Sequence, residues 1–352
     1  MKILQVIDKL DVGGAERVAV DLSIILSKND IDVSFLCLLQ ASELDKELEE
    51  HQIPLVYLNR KNKFNVCTLM KLHSILQRFD IIHVHSRHVL RYLVLTNFIP
   101  FRRYKLVFQD HFGTIENDVS VSAYTKFCMK HAKAYIGVSK KLVNWATRNK
   151  VNANIFLLPN IVRKQSGKIR VKSHHDIVVV GNFRPQKNYE FLLDLLEELP
   201  EYITVDIYGI VVDKVYYNKI SHLIQSKRLD HRIHIITNCS TLAPILHNYK
   251  LALHCSASET GPLVAIEYMA AQLPFVMYKT GEVAEQIHAI DSGFLQSNFN
   301  VLDWKGKVLR LLQNKEARTK AICTLEETYT RYYSEENYIN SCIKIYQQVL
   351  SS

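Results

Sequence analysis

Short apolar runs alternate along this chain with longer segments of helical character. In the first half the runs fall at residues 3–7, 33–38, 54–58, 81–85, 106–109, 134–138 and 155–158. Helices are expected between them at 15–28, 66–79, 89–97, 122–131 and 140–149. Strands that alternate with helices predict a parallel, doubly wound sheet. Ligands on such sheets bind at the carboxyl ends of the strands. That rule singles out residues 8–14, His85 and Ser86, residues 110–113, and Ser139.

Residues 160–175, NIVRKQSGKIRVKSHH, are polar and basic and carry no apolar period. After them the rhythm restarts, with strands expected at 177–180, 203–208, 233–236, 251–255 and 275–277. Helices are expected at 189–196, 214–227, 242–247, 263–271, 301–313 and 316–329, and a last helical segment at 335–350. The chain therefore reads as two doubly wound, Rossmann-like α/β domains facing a cleft, at 1–162 and 176–334, joined by a linker at 163–175.

Length supports this division, since 352 residues exceed one typical domain. The hydrophobic fraction of 48% is ordinary for a globular protein. Cys37, Cys67, Cys128, Cys239, Cys255, Cys323 and Cys342 are scattered without a C-x-x-C pair, which argues against a disulfide or zinc framework. The N-terminal apolar run is broken by Gln5 and Asp8 and reads as a strand rather than a signal peptide. No run approaches the ~18 apolar residues of a membrane span. These features point to a cytoplasmic protein.

Net charge is +9. Basic residues gather at Arg60, Lys61 and Lys63, and again at Arg87, Arg91, Arg102, Arg103 and Lys105, the second group bracketing the apolar residues 92–101. That segment reads either as an amphipathic element on the inner face of an anionic membrane or as a buried helix with solvated ends. Nucleic-acid binding is not expected, because no compact stretch interleaves basic and aromatic residues.

The most informative stretch is 251–277, LALHCSASETGPLVAIEYMAAQLPFVM. It reads as strand, polar loop, helix, strand. Gly261 allows a sharp turn and Pro262 suits a first helical position. The loop then empties onto a helix N-terminus, where free N–H groups favour an anion. Glu259 precedes the helix and Glu267 lies within it. Carboxylates in direct contact with phosphate would repel it, so both make more sense holding hydroxyls on either side of a phosphate group. A nucleotide-sugar has that layout. A capped helix with a solvated Glu on its outer face is the plainer alternative.

Two other loops follow first strands. Gly13 and Gly14, in DVGGAERVAV, make a strand–turn–helix unit but lack the G-x-G-x-x-G spacing. In IVVVGNFRPQKN, Gly181 ends a strand, and Arg184 and Lys187 sit in the loop after it. Two cations there could neutralise a leaving diphosphate, as a metal does elsewhere. His111, in QDHFGT, would line the first domain's side of the cleft. No metal site is indicated: there is no HExxH, and the lone D-x-D at Asp30 and Asp32 falls at a helix-to-strand turn.

Together, GGAER near the N-terminus, the G-x-x-x-x-x-K loop at Gly181 to Lys187 and the E-x7-E at Glu259 and Glu267 resemble the retaining GT-B glycosyltransferases of glycosyltransferase family 4. GVS at 137–139, LPN at 158–160, Tyr208 with Gly209, and Gly281 with Glu285 are smaller echoes. The resemblance implies that Arg184 and Lys187 bind the donor diphosphate, beside Gly181. Backbone around Gly261, Pro262, Leu263 and Val264 would contact phosphate, Glu267 the ribose, and Glu259 the donor sugar. Gly13 and Gly14 would close over the diphosphate, with His111 near the sugar. Among these, Glu259, His111, Arg184 and Lys187 would take part in catalysis. The helix at 335–350 would cross back to the first domain. No cofactor or metal is implied. Departures from the family pattern are Thr260 before Gly261, Tyr268 where Ala is usual, Gln272 where Gly is common, and Glu282 after Gly281.

The implied activity is retaining transfer of a sugar from a nucleotide donor, UDP-linked in preference to GDP-linked, to a hydroxyl of a glycan or lipid-linked glycan in surface polysaccharide synthesis. A nucleotide-sugar epimerase on the same fold and a non-catalytic glycan- or nucleotide-binding protein are the alternatives.

Overall fold

The computed structural model describes residues 1–11, 13–40, 44–99, 104–112, 121–164, 176–237, 242–259 and 261–352. Most of the expected linker, together with Phe101, Arg102, Arg103, Gly113, Cys239 and Thr260, lies outside the described residues. The chain forms two compact units, Met1–Val162 with Ser334–Ser352, and Arg163–Tyr333.

The first unit is built on seven parallel strands: β1 (Lys2–Ile7), β2 (Asp32–Cys37), β3 (Leu55–Tyr57), β4 (Ile81–Val84), β5 (Lys105–Asp110), β6 (Ala134–Gly137) and β7 (Ile155–Leu157). Their order is β3-β2-β1-β4-β5-β6-β7. The order reverses between β1 and β4, which run in register from Ile3 beside Ile81 to Val6 beside Val84. β1 and β4 are almost wholly buried, as expected of central parallel strands covered on both faces.

The helix Glu335–Ser351 belongs to this first unit. It buries Tyr338, Ile339, Cys342, Ile345, Tyr346 and Val349. Each such apolar side chain contributes about 1.5–3 kcal/mol when fully buried. Tyr346 also shares a hydrogen bond of 2.7 Å with His83 Nδ1 in β4.

In the second unit six parallel strands, β8 (Ile177–Val180), β9 (Val205–Tyr208), β10 (Ile233–Ile236), β11 (Leu251–His254), β12 (Phe275–Tyr278) and β13 (Leu295–Gln296), take the order β10-β9-β8-β11-β12-β13. Here the reversal lies between β8 and β11, with Leu251 beside Ile177 and Leu253 beside Val179. Both sheets are thus doubly wound and parallel.

Several elements depart from the expected pattern. Asp45–Glu50 and Gly281–His288 are helices, and Leu295–Gln296 is a two-residue edge strand. Pro262 is the N-cap rather than the first helical residue, and the helix runs Leu263–Ala270. Gly281 takes a positive φ of 76°, the left-handed region that favours glycine.

The apolar segment with basic flanks is largely core. Tyr92, Leu93 and Val94 are buried. Arg87 is committed to Asp110 through three hydrogen bonds of 2.7 to 3.1 Å. Among the described residues no helix is long and apolar enough to cross a membrane.

Candidate functional site

β8 and β11 are neighbours with the same direction, so the loops that follow them leave the sheet side by side. Ala257 N donates to the Gln186 carbonyl at 2.8 Å and ties the two loops together. The first loop begins at Gly181 and passes through a short 3-10 turn, Pro185–Lys187, ended by Asn188 in the left-handed region at φ 55°. Arg184 caps that turn and is exposed.

Lys187 folds back along Gly181. A Cβ at Gly181 would lie 3.1 Å from Lys187 Cδ, so the absence of a side chain there makes room for the lysine stem. The Lys187 ammonium donates to Glu259 Oε1 at 2.6 Å, and both side chains are mostly buried. Burial pushes the Glu259 carboxyl up, but the adjacent Lys187 charge and hydrogen bonds from Lys187 and Ser256 outweigh it and hold the group below its usual range. Glu259 is therefore an anion. Its backbone N–H is held in turn by Thr280 Oγ1 at 3.0 Å, from the loop after β12.

His254 ends β11 and lies beneath this pair, its Nε2 3.9 Å from Glu259 Oε1. Burial first, then the Lys187 charge, pushes its pKa down to about 4, so the ring is neutral near neutral pH. His254 and Thr280 were not singled out by sequence. The signal for His254 was available: it is the polar residue within the otherwise apolar β11, at the carboxyl end where ligands bind.

The rest of the second-unit set is arranged around this pair. Gly209, after β9, packs against the Gly181 backbone: a Cβ there would sit 1.9 Å from the Gly181 carbonyl oxygen. The helix Leu263–Ala270 follows the Glu259 loop and has no side-chain cap at its start. Pro262 and Val264 are buried, and Gly261, Leu263 and Glu267 are partly exposed. Two of the departures acquire a physical reason. Tyr268 is fully buried, and its hydroxyl accepts from Val180 N at 3.1 Å, bracing the end of β8. Gln272 takes φ 55°, the left-handed conformation that glycine adopts without strain.

In the first unit, β1 leads to Gly13, the N-cap of the helix Gly14–Lys28. Its φ of −140° is open to any residue, and a Cβ there would meet the mobile Glu16 carboxylate at 2.2 Å rather than backbone. Asp8, also at the end of β1, is engaged by Arg60 at 3.0 Å and His88 at 3.3 Å. His111 follows β5 and belongs to a chain of polar side chains that crosses the sheet end. His85 Nε2 donates to Gln5 Oε1 at 2.7 Å, since an amide oxygen only accepts. Burial pushes the His85 pKa well below its ordinary value, so the ring is neutral and its Nδ1 accepts. His111 Nε2 is therefore the donor across the 3.2 Å to His85 Nδ1. Burial lowers His111 to about 4, with Asp110 and Asn160 opposing. His111 also hydrogen-bonds the Asn160 side chain, so it is tied to both the end of β4 and the segment after β7. Asp110, next to it, accepts from Tyr135 Oη at 2.8 Å as well as from Arg87.

Lys187 and Glu259 are thus in direct contact, with Gly181 alongside. Arg184 and Glu267 lie on the same loop and on the helix that follows. Gly13, Gly14 and His111 are in the other unit. Among the described residues no group of three or more His, Cys, Asp or Glu side chains is placed to hold a metal ion.

This architecture has known counterparts. A solved structure of Anabaena HepE in complex with UDP and glucose superposes with a TM-score of 0.79 at 17% identity, covering 100% of both chains. An uncharacterized glycosyltransferase of Methanocaldococcus jannaschii is 24% identical over 67% of this chain and 65% of its own length, just under two thirds of that relative. The N-acetyl-alpha-D-glucosaminyl L-malate synthase of Bacillus anthracis is 21% identical over 96% of this chain and 95% of its own. The capsular polysaccharide biosynthesis glycosyltransferase CapH of Staphylococcus aureus is 25% identical over 76% of this chain and 78% of its own. The model for Glycosyltransferase Family 4 matches residues 12–165, and that for Glycosyl transferases group 1 matches residues 162–324. With each unit matched by its own family model and both sheets doubly wound, the chain belongs to the GT-B glycosyltransferases.

Proposed function

We propose that the chain transfers a sugar, with retention of configuration, from a UDP-linked donor to a hydroxyl of a glycan or lipid-linked glycan in surface polysaccharide synthesis. The observation that carries the reading is the Lys187–Glu259 pair at the strand-order reversal of the second sheet, 2.6 Å apart and partly buried. The Lys187 ammonium is held by the Glu259 carboxylate. A donor whose diphosphate takes the ammonium leaves Glu259 to accept from sugar hydroxyls. The UDP and glucose bound in HepE and the capsular role of CapH support the donor and acceptor classes.

Arg184 and Lys187 then bind the diphosphate and stabilise charge as it leaves. Gly261, Pro262, Leu263 and Val264 present the start of a helix to phosphate, and Glu267 holds the ribose. In the first unit, the Gly13–Gly14 backbone is assigned to ligand approach and His111 to the neighbourhood of the sugar. Attack and departure occur on one face of the sugar, and the protein's part is placement and charge stabilisation. With Arg184 and Lys187 assigned to the diphosphate, turnover should survive chelation of divalent ions. The anionic inner face of a membrane is the proposed setting of a lipid-linked acceptor.

The test is a screen of the purified protein against UDP, GDP and their common sugars, by melting temperature and by product analysis. A specific ligand raises the melting temperature by mass action. Acceptor-dependent transfer from a UDP-sugar is expected. Conversion of the sugar nucleotide without acceptor would move the assignment to an epimerase, and no shift with any nucleotide would move it to a binding protein.

A further inference from the structure

The sequence between Glu50 and Asp80 contains no Asp or Glu, while it carries Arg60, Lys61, Lys63, Lys71 and Arg78. Its centre is the helix Val66–Leu76. That helix has two apolar stripes. One, with Leu72 and Leu76 fully buried, packs into the first unit's core. The other is bare: Val66 is 69% exposed, Met70 51% exposed, and Phe64, just before the helix, 76% exposed. Lys61, Lys63 and Lys71 are exposed around them.

The turn that presents Phe64 is built rather than loose. Phe64 N donates to Asn62 Oδ1 at 2.9 Å, and Thr68 N donates to the Asn65 side chain at 3.0 Å, capping the helix. Arg60 is turned inward, bonded to Asp8 and stacked 4.6 Å over the Tyr92 ring, so its charge is internal. The outward charge is that of the lysines.

We infer that this helix–turn surface, with Phe64, Val66 and Met70 as its inserting side chains and Lys61, Lys63 and Lys71 around them, docks on the surface of an anionic bilayer. An apolar tip ringed by lysine and lacking acids fits the boundary between acyl chains and anionic headgroups, where apolar burial and charge attraction act together. It fits a protein partner poorly, because lysine is depleted at protein–protein interfaces. This surface is distinct from residues 92–101, whose described apolar side chains at Tyr92 to Val94 are core. The inference deepens the reading of a membrane-side acceptor, on which its purpose rests.

The test needs neither donor nor acceptor, so its outcome is independent of the proposed transfer. The full chain is sedimented with vesicles of phosphatidylcholine alone and with vesicles containing phosphatidylglycerol. Binding to the anionic vesicles only is expected, and it should weaken with salt. The double variant Phe64→Glu, Met70→Glu should remove it. Lys61→Glu with Lys63→Glu should weaken it by about tenfold or more. Val215→Glu, at an 81% exposed valine of the second unit, should leave it unchanged and guards against a general effect of added charge. Failure of the wild type to bind anionic vesicles would overturn the inference. So would unchanged binding by the Phe64, Met70 variant, or a self-association lost in that variant without any vesicle binding.

Discussion

Lys187 Nζ and Glu259 Oε1 lie 2.6 Å apart although the residues are 72 positions apart in sequence. They meet because β8 and β11 are adjacent and parallel, so that the loop of one strand faces the loop of the other. Lys187→Ala should reduce transfer by about a hundredfold, the usual scale for losing one charge-stabilising donor. It should also abolish the UDP-induced melting shift. The fold should persist at a cost of about 2 kcal/mol, from a carboxylate left without its partner. Steady-state kinetics and circular dichroism check the two parts. Normal turnover would remove Lys187 from the diphosphate site.

Four partly or fully buried histidines make the fold sensitive to acid. His83 is pushed to about 3, His111 and His254 to about 4, and His85 downward, each mainly by burial. A folded-state pKa below the unfolded value means that the folded state favours the neutral ring. The associated stability is therefore fully present above the unfolded value of 6.5 and is lost as pH falls toward about 4. The melting temperature should decline steadily over that window. His254→Asn should flatten part of the decline. A profile level from neutral pH down to about 4 would contradict it.

Gln272 occupies left-handed backbone after the helix Leu263–Ala270. Replacing it with glycine relieves a local cost of about 1–2 kcal/mol and returns part of that as added freedom of the unfolded chain. Gln272→Gly should raise stability by about 1 kcal/mol, read as a higher melting temperature with donor-site kinetics unchanged.

Gly209→Ala should act in the opposite direction. Its Cβ would fall 1.9 Å from a backbone oxygen rather than from a movable side chain. Relief requires the β8 and β9 loops to part, at about 1–3 kcal/mol. Because Gly181 would be displaced with them, loss of the UDP-induced melting shift is expected alongside the loss of stability.

Much of the architecture was legible because parallel strands, buried on both faces, leave unbroken apolar runs. The placement of Lys187 and Glu259 was legible for the same reason, since both follow such runs directly. What escaped were features fixed by distant partners. Thr280 holds Glu259 from another loop, and Asp110 accepts from Arg87 and Tyr135; local sequence encodes none of these pairings. The strand Leu295–Gln296 is too short to leave a period, and the helix Gly281–His288 opens on a glycine with positive φ, which reads as a break. Asp45–Glu50 buries only Asp45 and Leu48, so its apolar signal is slight. The apolar segment with basic flanks left two readings open, and the buried one holds for Tyr92 to Val94; that its flanking Arg87 turns its charge inward to Asp110 is not something composition reveals.

The helix Glu335–Ser351 gives synthesis an unusual schedule. Every described strand of the first unit's sheet has been made once Leu157 is added, yet part of its hydrophobic cover, with Tyr346 against His83, arrives only after the second unit. As it leaves the ribosome, the first-made unit must wait with an open flank while the whole of the second unit is produced. Of the two units, the one begun first is finished second, and a chain stopped before Ser334 is crippled in the first unit rather than in the one being made.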